Sequence, residues 1–136
     1  MPASFVDTNV LIYLVSADER KAQQAEALLA GGVRISVQVL NEMAHVARRK
    51  ARMSWAEVRG LLSAVRVKAV VDPVTYETHE TGLDLAERYG LSVFDAQIAA
   101  SALHAGCTVL WSEDMQHGMV LGGRLAVLNP FKDAVD

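Results

Sequence analysis

The sequence has one cysteine, three prolines and no long apolar run, and each scarcity excludes a class of protein. Cys107 alone cannot form an internal disulfide, and Cys and His residues do not cluster with zinc-binding spacing. A reducing, cytoplasmic compartment is therefore expected. The longest apolar run near the amino terminus, residues 10–15, is too short to cross a bilayer and lacks the flanks of a signal peptide, so no membrane association is expected.

Length and charge indicate a single folded domain. The chain has 136 residues, of which 51% are hydrophobic, with 13 Lys plus Arg against 16 Asp plus Glu. A chain of this length can bury a core without disulfides or structural metal. The net charge of −3 argues against indiscriminate binding of polyanions but does not say where the charges lie. We expect one domain spanning residues 1–136.

Short apolar runs alternate with helical patterns along the chain. Strands are predicted at 3–6, at 33–36, within 67–72, at 108–111 and at 125–128. Helices are predicted at 10–16, at 19–30, from near 36, from the capping box at 54–57 to about 66, at 76–89 and at 92–106. Because strands joined by helical crossovers lie parallel, we expect an α/β fold, a three-layer α/β/α sandwich with a central, mainly parallel sheet.

Two acidic residues directly follow predicted strands. Asp7 comes after the first strand, and Asp114 comes shortly after the fourth. Ligands of parallel sheets bind outside the carboxyl ends of the strands, so both positions are candidates for a functional site. A turn or helix-cap role explains each residue equally well when it is considered alone.

Two further acids lie on predicted helices. Asp95 falls on the apolar arc of its helix, whereas Gln97 and Ser101 are expected to face away from the core. Glu42 lies beside the apolar arc of the third helix, at the rim of the core. The alternatives are a local capping box between Ser92 and Asp95 and an ordinary surface glutamate at position 42.

If these acids converge at one edge of the sheet, they predict a cation site. Converging carboxylates repel one another and their pKa values rise unless a cation lies among them. A hard divalent ion with oxygen ligands, Mg²⁺ or Mn²⁺, suits such a site. Phosphodiester hydrolysis then becomes the leading reaction, with in-line attack by water leaving a 5′-phosphate and a 3′-hydroxyl.

Several short motifs occur in a fixed order along the chain. They read FVDTNVLI at 5–12, NE at 41–42, FDAQIAA at 94–100, SEDM at 112–115 and VLNPF at 127–131. Each motif is weak alone, but together, at these spacings, they resemble the PIN-domain family and most closely its VapC-type toxin branch. The resemblance covers nearly the whole chain.

The resemblance implies an endoribonuclease that depends on one or two Mg²⁺ or Mn²⁺ ions. Asp7 and Asp95 would be the chief metal ligands, Glu42 and Asp114 would complete the acidic pocket, and Ser112 would orient Asp114 or a bound water. The same resemblance implies a homodimer that cuts structured RNA, such as transfer or ribosomal RNA. It also implies inhibition by a cognate VapB-type antitoxin.

Basic residues cluster at the end of the helix that carries Glu42. The cluster consists of Arg48, Arg49, Lys50 and Arg52. These side chains are candidates for holding an RNA backbone. Basic residues at a helix carboxyl end are also favoured by the helix dipole, and the sequence leaves both readings open.

Two other functions compete with the nuclease hypothesis. A non-catalytic RNA-binding protein of the same fold would use the acids only to bind an ion or cap helices. A phosphoacceptor signalling domain would use Asp7 itself as the nucleophile. The latter is disfavoured, because Asn9 stands where one such site needs a second aspartate.

Overall fold

The computed structural model describes residues 3–132, which form a six-stranded sheet covered by helices; residues 1–2 and 133–136 of the expected domain lie outside the described residues. The strands are β1 (Ser4–Val6), β2 (Val33–Ser36), β3 (Ala69–Asp72), β4 (Val109–Trp111), β5 (Val120–Leu121) and β6 (Leu125–Leu128). Their spatial order is β3-β2-β1-β4-β6-β5. The pairings are parallel except for β5 with β6.

Six α-helices connect and cover the strands. They are α1 (Thr8–Leu11), which continues as a 3-10 turn at Ile12–Val15, α2 (Glu19–Ala30), α3 (Val37–Arg49), α4 (Trp55–Lys68), α5 (Tyr76–Tyr89) and α6 (Val93–His104). Helix α6 packs on β2, β4 and β6 and is itself covered by α5, whereas α3 contacts β2 and α4 contacts β3. The predicted α/β fold with a mainly parallel sheet is confirmed.

Polar side chains at the helix starts set where each helix begins. Ser36 Oγ accepts a hydrogen bond from Val39 N, and Ser92 Oγ accepts one from Asp95 N. Such bonds satisfy backbone N–H groups that have no partner within the helix. Because Ser36 ends β2 and is also the cap of α3, the chain turns directly from strand to helix there.

The structure differs from the sequence prediction at several boundaries. The first helix begins at Thr8 rather than at residue 10, and α4 continues to Lys68 rather than ending at about residue 66. Strand β3, at Ala69–Asp72, lies within the predicted range 67–72. Strand β5 was not predicted. It has two residues and pairs antiparallel with β6 through a turn at Gly122 and Gly123, which have φ of +59° and +72°.

The prediction that Gln97 and Ser101 face away from the core is wrong. Both side chains are buried, because α5 covers the side of α6 that does not face the sheet. The two helices approach closely at Gly82, where an added Cβ would lie 2.2 Å from Gln97 Nε2. Within residues 3–132, no helix combines the length and apolar character needed to span a bilayer.

Candidate active site

Asp7 lies at the point where β1 passes into α1. Its backbone N–H donates to Trp111 O at 2.9 Å, which continues the pairing of β1 with β4 beyond the last strand residue. Its side chain is only 3% exposed, and its Oδ1 accepts a hydrogen bond from Thr8 N at 2.7 Å. Asp7 therefore caps α1 through one oxygen, and its other oxygen turns toward β4.

Ser112 follows β4 and meets Asp7 across the sheet edge. Its Oγ donates to Asp7 Oδ2 at 2.9 Å and accepts from Met115 N at 3.3 Å. Asn9 Nδ2 also donates to Asp7 Oδ2, at 3.2 Å. The resemblance assigns Ser112 to Asp114 or to a water, whereas its hydroxyl donates to Asp7 in the structure.

The place where these residues meet follows from the topology. The chain builds β2 and β3 on one side of β1 and then returns to add β4 on the other side. The connections therefore leave the sheet in opposite directions from β1 and β4, which opens a crevice beyond their carboxyl ends.

Glu42 reaches the same region from α3. Thr8 Oγ1 donates to Glu42 Oε1 at 2.5 Å, and Gln38 Nε2 lies 3.5 Å from Glu42 Oε2. Gln38 Nε2 also donates to Phe94 O, at 3.2 Å, and so connects α3 to the first turn of α6. Glu42 is half-buried, at the edge of the core.

One cavity of about 350 Å³ collects the four predicted acids. Asp7 is buried, Glu42 and Asp95 are half-buried, and Asp114 is exposed at the rim. His45, one turn after Glu42 on α3, faces the same cavity. The lining residues are Asp7, Thr8, Asn9, Ile12, Glu42, His45, Val46, Asp95 and Asp114.

The carboxylates of the cavity perturb one another. Burial raises the pKa of Asp7 from 3.8 to about 7; the hydrogen bond from Ser112 opposes this rise, and the charges of Asp95 and Glu42 add to it. Burial also raises the pKa of Asp95, with further increases from Asp114 and Glu42 and an opposing effect of Ser92. The charges of Asp7 and Asp95 are therefore destabilised by their surroundings, as expected for a site that a cation would stabilise.

The donor set of the cavity fits a hard divalent cation in its chemistry. Four carboxylates open into one space, and oxygen ligands are what Mg²⁺ and Mn²⁺ prefer. Among residues 3–132, no three Asp, Glu, His or Cys side chains are already grouped closely enough to ligate an ion together.

The basic cluster lies outside the cavity, and its members differ in their surroundings. Arg48 donates to Met53 O at 2.9 Å and stacks its guanidinium 4.4 Å from the centre of the Trp55 ring. Arg52 is in a left-handed turn with φ of +52°. Arg49 follows Glu42 by two helical turns, which places it on the same face of α3, about 10 Å further along the axis.

Sequence reasoning did not single out several side chains that surround the acids. Thr8 and Asn9 both lie within the first motif, and their hydrogen bonds to Glu42 and Asp7 are seen only in the structure. His45 has no zinc-binding spacing to another His or Cys, yet its distance of three residues from Glu42 places both on one helix face. Helical spacing could also have identified Gln38, four residues before Glu42.

The sequence matches the model of the PIN domain family over residues 4–118. It is 30% identical over 116 residues to ribonuclease VapC7 of Mycobacterium tuberculosis, a match that covers 80% of each chain. The family match includes the segments that carry the acids of the cavity.

Solved structures share the fold. A toxin–antitoxin complex from Klebsiella pneumoniae superposes with a TM-score of 0.72 at 23% identity, covering 96% of this chain and 99% of the other. The sarcin-ricin loop cleaving toxin VapC20 of Mycobacterium tuberculosis superposes with a TM-score of 0.66 at 24% identity, covering 82% and 89%. At these identities the likeness concerns the architecture.

Proposed function

Because the chain belongs to the PIN domain family and to its VapC-type branch, we propose that it is a Mg²⁺- or Mn²⁺-dependent endoribonuclease. The observation that carries the proposal is the opening of Asp7, Glu42, Asp95 and Asp114 into one cavity at the crevice between β1 and β4. Residues 1–136 act as one nuclease domain in this proposal. The relative VapC7 is itself named a ribonuclease, which supports the assignment.

In the proposed reaction the carboxylates would hold one or two divalent ions, with Asp7 and Asp95 as the chief ligands. When bound, such an ion supplies charge stabilisation to the reacting phosphate and lowers the pKa of water. Ser112 keeps Asp7 oriented through its hydrogen bond, and Thr8 does the same for Glu42. The phosphodiester is cleaved by in-line attack of water, leaving a 5′-phosphate and a 3′-hydroxyl.

The proposed substrate is structured RNA, such as transfer or ribosomal RNA. Arg48, Arg49, Lys50 and Arg52 hold its backbone beside the cavity. Arg49 is the best placed of these residues, because it shares a helix face with Glu42 and His45. VapC20 is a sarcin-ricin loop cleaving toxin, which supports a folded RNA as the substrate class.

A cognate VapB-type antitoxin is proposed to inhibit the enzyme, which acts in the cytoplasm as a homodimer. The solved toxin–antitoxin complex from Klebsiella pneumoniae, which shares the fold over nearly the whole chain, supports such a partner.

The test is cleavage of end-labelled transfer and ribosomal RNA by the purified protein, in Mg²⁺, in Mn²⁺ and in excess chelator. Asp7→Asn and Asp95→Asn are compared with Asp84→Asn, which removes an exposed carboxylate on α5, away from the cavity. We expect discrete cuts that require the ion, a loss of about 100-fold in both cavity variants, and full activity in the control.

If the folded wild-type protein binds RNA but cuts none of it with either ion, the result favours the non-catalytic RNA-binding alternative. Cleavage that persists in chelator, or that survives both cavity substitutions, would contradict the proposed site.

A further inference from the structure

A second cluster of polar residues lies behind the loop that carries Asp114. Lys21 on α2 places its Nζ 2.6 Å from Glu113 Oε2 and donates to Tyr13 OH at 3.3 Å. Tyr13 OH in turn donates to Glu113 Oε1 at 2.6 Å. Both oxygens of Glu113 are therefore held, one by an ammonium and the other by a phenol. We call Tyr13, Lys21 and Glu113 the clamp.

The carboxyl-terminal motif covers the clamp. Asn129 Oδ1 accepts a hydrogen bond from Phe131 N at 2.9 Å, which folds the NPF segment into a turn. The Phe131 ring then meets the Tyr13 ring edge-on at 5.0 Å, and Lys21 Nζ lies 4.7 Å from the centre of the Tyr13 ring and 5.0 Å from that of Phe131. An ammonium between two aromatic rings gains cation–π attraction in addition to its ion pair.

The clamp is joined to the cavity through the backbone of Glu113. Glu113 N donates to Asn9 Oδ1 at 3.0 Å, and Asn9 Nδ2 donates to Asp7. On the other side of Asp114, Met115 N donates to Ser112 Oγ. Asp114 therefore lies between two residues whose backbones are fixed, although its own side chain is exposed at the cavity rim.

We propose that Lys21 is a positioning residue, which acts through Glu113 to hold Asp114 at the rim of the carboxylate cavity. The inference rests on the proposed function and adds to it a basic residue outside the acidic motifs. The NPF turn would then contribute to the active site indirectly, because it covers the Lys21–Glu113 ion pair that holds the loop carrying Asp114.

The alternative role for Lys21 is direct contact with RNA phosphate. The geometry favours positioning, because two of the three donors of the ammonium already face Glu113 and Tyr13, and two rings lie against it. The two roles differ in what they predict for Glu113, whose loss would free Lys21 for RNA but would release the loop.

The experiment compares Lys21→Met, Lys21→Arg and Glu113→Gln with wild type, and uses Lys68→Met at the exposed end of α4 as the matched control. Four quantities are measured: kcat and KM for RNA cleavage, Mn²⁺ affinity from the electron paramagnetic resonance signal of free Mn²⁺, and the melting temperature. The Mn²⁺ measurement does not depend on activity.

Positioning predicts that Lys21→Met and Glu113→Gln each lower kcat and weaken Mn²⁺ binding by about tenfold, the usual effect of losing an outer partner of a metal site. KM should change little, and Lys21→Arg should retain most of the wild-type values because arginine also pairs with carboxylates and stacks on rings. Lys68→Met should equal wild type.

Other results would overturn the inference. A raised KM in Lys21→Met together with an unchanged or lower KM in Glu113→Gln would indicate direct RNA contact. A lower melting temperature with unchanged Mn²⁺ affinity and kcat would indicate a purely structural cluster. If wild type cuts no RNA, the proposed function fails, whereas the Mn²⁺ titrations still decide whether the clamp orders the site.

Discussion

Replacing Asp7 with asparagine should stabilise the metal-free protein at alkaline pH. Burial raises the pKa of Asp7 from 3.8 to about 7, so the folded state binds this proton more tightly than the unfolded state does. The contribution of protonated Asp7 to the free energy of unfolding is therefore fully present below pH about 4. It is lost as the pH rises to about 7. The ionised carboxylate at pH 8 then costs the folded state about 4 kcal/mol.

The substitution removes that charge but disturbs the hydrogen bonds around it. Asp7 Oδ2 accepts from both Ser112 Oγ and Asn9 Nδ2, and an amide nitrogen in its place could not accept from Asn9. A mismatch of this kind costs about 1–3 kcal/mol. The expected net gain at pH 8 is about 2 kcal/mol, which corresponds to a rise in melting temperature of about 8 °C for a chain of this size.

The assay is thermal or urea unfolding of wild type and Asp7→Asn in excess chelator at pH 5 and at pH 8. At pH 5 Asp7 is protonated in the folded wild type, which raises the free energy of unfolding of wild type by about 3 kcal/mol relative to pH 8. The variant should therefore be slightly less stable than wild type at pH 5. Asp84→Asn serves as the control and should behave as wild type at both values. An equal difference at the two pH values, or a variant destabilised at pH 8, would refute the reasoning.

Three further predictions concern packing, ligand orientation and RNA binding. Gly82→Ala should lower the free energy of unfolding in urea by about 1–2 kcal/mol, because the new methyl group displaces Gln97 from its hydrogen bond to His79 O. Gly60→Ala is the control: a Cβ there meets nothing within 4 Å, so the substitution should stabilise α4 slightly. Equal effects at both glycines would contradict the close approach of α5 and α6. Thr8→Val should lower RNA cleavage about tenfold by releasing Glu42, and Thr8→Ser should restore it; the idea fails if both variants cleave equally. Arg49→Ala should raise the KM for RNA and reduce the salt dependence of RNA binding by about one counterion, whereas Arg66→Ala on α4 should change neither. If the affinity of Arg49→Ala for RNA depends on salt concentration as strongly as that of wild type, Arg49 does not contact the RNA backbone.

Much of the architecture could be predicted because its signals are local. Ser36, Ser54 and Ser92 cap helices within a few residues of where they stand, and the short apolar runs between helices can only be strands of a parallel sheet. The positions of Asp7 and Asp114 after strands and of Asp95 in a first helical turn followed from the same patterns. Strand β5 was missed for the same reason, because a strand of two residues is too short to show an alternating pattern in the sequence.

Packing between helices decided which faces are buried. Gln97 and Ser101 are polar, and helical periodicity directs them away from the sheet, yet α5 covers that side and buries both. Periodicity along one helix carries no information about a second helix that packs on its polar side. At the cavity, His45 belongs to no motif and is exposed, yet it lines the same space as the acids because it lies one turn after Glu42 on α3.

The sequence by itself determined the alternation of strands and helices, the motifs and the carboxylates available for a site. Only the tertiary structure decided their environment, because the partners are distant in the chain. Ser112 and Asp7 are 105 residues apart, and Lys21 and Glu113 are 92 apart. The pKa of Asp7, the shared cavity and the clamp all arise from contacts that exist only after β1 and β4 have paired, since a carboxylate is desolvated by the chain that folds over it.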